Sequence, residues 1–124
     1  MNFEHGTDIV EVSRIKKAIE ASDRFRNKVF TENEIIYCES RKAKYQSYAV
    51  RFAAKEAFLK ALGTGWANGI RWSDIEILND ASGKPFVSLY SVAKDIFDTN
   101  NYQKVCVSLS HTKDTAIASV IITK

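Results

Sequence analysis

Apolar residues recur with helical spacing most clearly between Tyr45 and Leu62. Ala, Leu, Lys and Glu dominate that stretch and no proline interrupts it, which suits a helix. At about 100° per residue, Val50, Ala54, Ala57, Phe58, Ala61 and Leu62 form one stripe. The opposite side ought to be polar, yet it carries Phe52 and Leu59 beside Glu56 and Lys60. A helix apolar on two sides is buried on both, or is buried on one and covers a site on the other. Gly63 and Gly65 predict its end.

Elsewhere the pattern is shorter and mixed. His5 to Val12 reads as a strand, with Ile9, Val10 and Val12 apolar and Asp8 embedded among them. Ser13 is the expected cap of a helix over Arg14 to Ile19. Thr31-Glu32-Asn33-Glu34 fits a capping box, so another helix is expected to start near Thr31. The second half alternates with period two: Ile70-Arg71-Trp72 and Asp74 to Ile77, then Phe86 to Leu89 after the turn Asn79 to Pro85. Ser91 to Asp98 predicts a short helix closed by Asn100-Asn101. Val105 to Leu109 and Ala116 to Ile122 predict an antiparallel hairpin whose turn holds Ser110, His111, Thr112, Lys113 and Asp114. The fold class that results is α+β, a mainly antiparallel sheet packed on a long central helix.

At 124 residues the chain is expected to be a single domain spanning 1–124. It has no apolar run of membrane-spanning length and no signal-peptide pattern, so a soluble, cytoplasmic protein is expected. Cys38 and Cys106 stand far apart with no CxxC and only two histidines in the chain, which argues against zinc. Both are read as small core residues or inert thiols. The net charge of +3 is mild but unevenly placed. Arg14 to Arg51 holds ten Lys or Arg against five acids, while residues 61–124 hold six of each. A basic first half fits an anionic partner, or a merely solvated surface.

Within this frame Asp8, Glu56, Lys60, Arg51 and His111 are the candidates for chemistry. Glu56 and Lys60 are i and i+4, and the plain reading is a surface ion pair worth a few tenths of a kcal/mol. Asp8 in a strand and His111 in a turn are plainly read as solvent-facing. Their chemistry is nevertheless complementary. Two carboxylates with room for water suit Mg²⁺, which keeps several waters and takes further oxygens from a substrate phosphate. A lysine beside that ion can neutralise charge on a transferring phosphoryl group. Arg51 could hold another phosphate through paired hydrogen bonds.

These residues also carry a resemblance. Gly6-Thr7-Asp8-Ile9-Val10-Glu11-Val12-Ser13-Arg14-Ile15 resembles the amino-terminal signature of the holo-(acyl-carrier-protein) synthases. Arg51-Phe52-Ala53-Ala54-Lys55-Glu56-Ala57, followed by Lys60-Ala61 and Gly63-Thr64-Gly65, is similar to their central motif. Asp74 to Ile77, Gly83-Lys84-Pro85 and Val107 to Thr112 match further segments in order, so nearly the whole chain is covered. The resemblance implies transfer of the 4′-phosphopantetheine arm of coenzyme A to a serine of apo-acyl carrier protein. Adenosine 3′,5′-bisphosphate is released, and the step belongs to fatty acid biosynthesis.

Residue by residue, the resemblance makes Asp8 and Glu56 the Mg²⁺ ligands and sets Lys60 beside the reacting phosphate; these three are the expected catalytic residues. Arg51, Lys60, Gly63, His111 and Thr112 become coenzyme A contacts, and Arg14 the contact to the acidic carrier protein. It implies a homotrimer with active sites between subunits, and no nucleic acid or membrane partner. Three places depart from the family pattern. Phe3 to Thr7 is less glycine-rich than is common, Leu59 stands where a serine is frequent, and Ser40 to Gln46 matches poorly. Which of Arg41, Lys42 and Lys44 would touch coenzyme A is therefore open. Two rival readings are a Mg²⁺-dependent hydrolase of a nucleotide or pyrophosphate, and a small basic nucleic-acid binder.

Overall fold

The computed structural model describes residues 2–66 and 68–124. In chain order it contains β1 (Phe3–Glu11), α1 (Val12–Ala21), α2 (Asp23–Val29), α3 (Glu32–Glu39) and α4 (Lys44–Leu62). A 3₁₀ turn (Trp72–Asp74) then leads to β2 (Ile75–Asn79), β3 (Pro85–Leu89), α5 (Ser91–Thr99), β4 (Lys104–His111) and β5 (Thr115–Thr123). The strands form an antiparallel sheet in the order β1-β5-β4 and a separate β2-β3 hairpin. This is the expected α+β architecture. None of the described helices is long and apolar enough to cross a membrane.

The expected two-sided helix is α4, of whose 19 residues 14 are buried, Phe52 and Leu59 among them. It lies across β1 and β5. Strand periodicity decides what meets it. Gly6, Asp8 and Val10 share one face of β1, opposite Val120, Ala118 and Ala116 of β5. Gly6 sits at the crossing. A Cβ there would stand 2.0 Å from the Ala57 carbonyl oxygen and 2.7 Å from the Ala61 nitrogen. Only a residue without a side chain lets strand and helix backbones approach so closely. At its far end α4 closes on Gly63, whose φ of 81° is the left-handed cap conformation and whose N–H donates to the Leu59 carbonyl.

Several boundaries differ from the sequence reading. Helix α1 begins at Val12 with Glu11 in the cap position, so Ser13 lies inside the first turn and is not the cap. Ser22 caps α2, a helix that hydrophobic periodicity over so few residues did not announce. Ile70-Arg71-Trp72 is not strand. The Arg71 N–H donates to the Asp74 carboxylate, which folds the segment into a 3₁₀ turn before β2 starts. His111 is the last residue of β4, so the turn occupies 112–114. The Thr31 capping box forms as expected, with both reciprocal bonds made. Cys38 is fully buried, and burial pushes its thiol up to about 11; Cys106 is exposed, so the core reading holds for Cys38 only.

Beneath the sheet lies a polar cluster that the hydrophobic pattern did not reveal. Lys55 Nζ donates to Glu34 Oε1 at 2.7 Å, to the Val29 carbonyl at 2.6 Å and to the Trp72 carbonyl at 3.1 Å. Glu34 also accepts from the backbone N–H groups of Thr31 and Ile77. Glu76 takes bonds from Thr31 Oγ1 and the Tyr90 hydroxyl. The cluster ties α3, α4, the 3₁₀ turn and β2 to one another, with Lys55 and Glu34 paired and Glu76 hydrogen-bonded.

Candidate active site

Two chemically distinct groups of side chains flank α4. The first is on the β1 side. Lys60 Nζ donates to the Thr7 carbonyl at 2.9 Å and to Asp8 Oδ1 at 3.1 Å. Its side chain is 54% exposed, whereas that of Asp8 is only 18% exposed. Glu56 lies one helical turn before Lys60, on the same face. Among the described residues it makes no ion pair with Lys60: Asp8 takes the ammonium, and the Trp66 indole N–H donates to Glu56 Oε1 at 3.3 Å. Asp8 and Lys60 are thus in contact where Gly6 lets α4 descend onto β1, with Glu56 one turn before Lys60 on the same helix face.

The second group is on the β4 side. A cavity of about 550 Å³ is lined by Tyr37, Arg41, Lys42, Arg51, Asn79 and His111, among others. Arg51 forms its floor and is 2% exposed. One of its terminal nitrogens donates to the Ser47 carbonyl and hydroxyl, the other to Asn79 Oδ1. The guanidinium lies 4.4 Å from the Tyr37 ring centroid. Among the described residues its buried Nε has no hydrogen-bond partner. His111 Nδ1 donates to the Thr112 carbonyl at 3.1 Å, which leaves Nε2 for a ligand.

The weakly patterned segment after α3 forms part of the cavity wall. Arg41 and Lys42 line it, and Arg41 rests over the Tyr37 ring at 5.3 Å. Lys44 is not among the lining residues. It reaches Glu39 at 3.4 Å and lies against Tyr45. The Tyr48 hydroxyl, with Lys44 beside it, holds the Glu39 carboxyl below the usual range. Thr112 spends its hydroxyl oxygen within the turn, accepting from the N–H groups of Asp114 and Thr115. Gly63 sits at the Lys60 end of α4.

Arg51 and Lys60 are nine positions apart on α4, about half a revolution at roughly 100° per residue. Asp8 lies on β1 and His111 on β4, with β5 between those strands. Within one chain, therefore, the helix stands between the cationic cavity and the acid-and-lysine group. Arg14 is elsewhere again, exposed on α1 with its guanidinium 5.6 Å over the Phe52 ring. Phe52 stacks on Trp72 at 5.2 Å, and Trp72 meets Trp66 at 3.8 Å between centroids.

The donor sets suit the expected ligands. Among the described residues no three His, Cys, Asp or Glu side chains converge. Two carboxylates that leave most positions to water and phosphate fit Mg²⁺, and do not fit a protein-enclosed metal cage. A cavity walled by Arg41, Lys42, Arg51 and a histidine fits a nucleotide phosphate.

Comparison with known proteins agrees. The family model of the 4′-phosphopantetheinyl transferase superfamily matches residues 4–120. A holo-(acyl-carrier-protein) synthase of Ruminiclostridium cellulolyticum is 57% identical over 119 residues, covering 94% of this chain and 89% of that relative. The crystal structure of the Neisseria meningitidis holo-(acyl-carrier-protein) synthase superposes with a TM-score of 0.90 at 32% identity, covering 98% of both chains. That of the Bacillus anthracis enzyme, in complex with CoA (3′,5′-ADP), gives 0.80 at 35% identity over 98% of this chain and 96% of that one. The protein belongs to the 4′-phosphopantetheinyl transferase superfamily, among the holo-(acyl-carrier-protein) synthases.

Proposed function

We infer that this transferase moves the 4′-phosphopantetheine group from coenzyme A to a serine of apo-acyl carrier protein, leaving adenosine 3′,5′-bisphosphate. The observation that carries the assignment to this site is the Asp8–Lys60 contact one turn from Glu56, beside the close approach of β1 and α4 at Gly6. Asp8 and Glu56 would hold Mg²⁺, which would supply Lewis-acid neutralisation of charge on the pyrophosphate. Lys60 presents a cation to the same phosphate, and its bond to the Thr7 carbonyl orients it. Arg41, Lys42, Arg51 and His111 hold the nucleotide end, and Thr112 supports His111 through the turn. Arg14 receives the acidic carrier, whose serine oxygen attacks phosphorus.

The working unit is a homotrimer in the cytoplasm. Because α4 separates Arg51 from Lys60, one coenzyme A bridges the cavity of one copy and the metal site of the next. The outward row of the sheet supports burial against further copies. Phe3 and Ile9 are 54% and 65% exposed, and Ile117 and Ile121 extend the same face beside them. Exposed large apolar side chains at both ends of this face, with the hydrogen-bonded His5, Thr7 and Ser119 between them, fit an interaction surface of mixed character.

Incubation with coenzyme A, Mg²⁺ and apo-acyl carrier protein, followed by intact-mass measurement of the carrier, tests the reaction. Gain of one 4′-phosphopantetheine is expected. Breakdown of coenzyme A at equal rate without carrier would show a hydrolase instead.

A further inference from the structure

We propose that Trp66 is a positioning residue for the metal site, its indole N–H fixing the Glu56 carboxylate so that one oxygen faces the ion. The inference rests on the reading of Glu56 as a Mg²⁺ ligand. Its starting point is the 3.3 Å bond from Trp66 Nε1 to Glu56 Oε1. Glu56 is only half-buried and has a long side chain, so without a partner it would sample several rotamers. The indole has one donor and no acceptor, so the bond can run in only one direction. With Oε1 held, Oε2 remains for a metal in single-oxygen coordination, which suits the strict octahedron of Mg²⁺. Hydrogen bonds to metal-ligating carboxylates commonly change metal affinity or activity by 10- to 100-fold.

The indole is itself held. Its ring centroid is 3.8 Å from that of Trp72, which stacks on Phe52 at 5.2 Å. Trp66 follows the left-handed Gly63 and Gly65 that turn the chain back after α4, with φ of 81° and 59°. The turn therefore returns the indole to the helix face it has just left, ten residues after Glu56. Asp8 takes the Lys60 ammonium on the same face, and among the described residues Trp66 alone bonds the Glu56 side chain.

Trp66 and Trp72 are the only tryptophans in the chain, which makes the test direct. In Trp72→Phe, emission comes from Trp66 alone, and Mn²⁺ or Mg²⁺ added with adenosine 3′,5′-bisphosphate should change it saturably. Trp66→Phe keeps the ring and deletes the N–H. Free Mn²⁺ measured by electron paramagnetic resonance should show about tenfold weaker binding to Trp66→Phe. In turnover, the half-saturating Mg²⁺ should rise about tenfold while kcat at saturating Mg²⁺ recovers most of its value. Trp72→Phe keeps an aromatic ring against the indole and leaves the Trp66 N–H in place, so its Mn²⁺ binding should stay far closer to that of the unsubstituted protein than that of Trp66→Phe does. Equal metal binding by Trp66→Phe and the unsubstituted protein, or emission of Trp66 indifferent to metal, overturns the proposal. Glu56→Gln separates it from the underlying reading: undiminished Mn²⁺ binding there removes the metal assignment itself, and the positioning role with it.

Discussion

Lys55 and Glu34 meet at 2.7 Å with neither side chain touching solvent. Lys55 is adjacent in sequence to Glu56, but successive helical residues point about 100° apart, so the two belong to different parts of the molecule. Lys55 turns inward to bind the segments around α4, and Glu56 turns outward to the site. Burial pushes the Lys55 ammonium down from its usual range, while the Glu34 carboxylate opposes that shift. What keeps such a pair inside is completeness: two backbone carbonyls take the other protons of Lys55, and two backbone N–H groups bind Glu34.

Removing one member should therefore be severe. Lys55→Met is expected to cost about 3–5 kcal/mol, because it leaves Glu34 charged and unpaired in the interior. Adding Glu34→Gln should recover part of that loss. Urea unfolding of both single variants and the double variant measures the coupling, and strictly additive costs would contradict it.

Gly6→Ala probes the crossing of β1 and α4. The added methyl would stand 2.0 Å from a backbone carbonyl, so strand and helix must separate. Overpacking of this kind costs about 1–3 kcal/mol. Asp8 is two residues along the same strand face, so the displacement should also lower turnover in protein that remains folded. Thermal melts paired with initial rates check both effects. An unchanged rate in a destabilised protein would mean that the crossing does not set the position of Asp8.

Much of this arrangement was legible in the sequence. The second apolar face of α4 showed that the helix is enclosed, and Asp8, Glu56 and Lys60 stood out as polar groups in apolar elements. The Thr31 box was readable because its two bonds are local. What was hidden depends on contacts distant in sequence. Nothing in Ala54-Lys55-Glu56 says which charge turns inward until Glu34 arrives from α3. Trp66 reads as one more apolar residue until the glycine turn brings it back to Glu56. Ile70 to Trp72 alternates like a strand, yet the Asp74 carboxylate captures the Arg71 N–H and bends it away. Helix α2 has seven residues, too short for a periodic signal, and only its Ser22 cap marks it.

Arg14→Glu should raise the KM for carrier protein and flatten its salt dependence, because surface charge steers an anionic partner over roughly 8–10 Å at moderate salt. The KM for coenzyme A should not move. Arg14 is exposed and touches Phe52 through its guanidinium face, so Arg14→Lys retains charge but loses part of that stacking. It should fall between the two. A change confined to coenzyme A would contradict the assignment.

The cavity separates three neighbouring cations. Arg41 and Lys42 line it, whereas Lys44 is directed to Glu39. Arg41→Ala and Lys42→Ala are expected to weaken coenzyme A binding several-fold each, as loss of a charge-assisted contact of about 1.5–3 kcal/mol would in part be replaced by water. Lys44→Ala should leave it unchanged. Calorimetric titration with adenosine 3′,5′-bisphosphate resolves the three, and a Lys44 effect as large as that of Arg41 would place the nucleotide elsewhere.

Lys60→Met deletes a charge and keeps the length of the stem. Its ion pair with Asp8 is half exposed, so the cost to folding should be small, about 0–1 kcal/mol. The cost to the reaction should not be. Phosphoryl transfer is accelerated mainly by positioning and by compensation of charge in the transition state, so turnover should fall on the order of 10²-fold or more while KM changes little. The same lysine could in principle serve as a general base toward the carrier serine, and the two roles leave different marks on pH. A base produces a limb in the rate profile that disappears with it, whereas a permanent cation lowers the whole profile without changing its shape. Profiles of Lys60→Met and His111→Ala distinguish them. We expect Lys60→Met to retain every limb of the unsubstituted protein at lower amplitude. A limb absent there and present in His111→Ala would assign the proton transfer to Lys60 and remove the role given to it here.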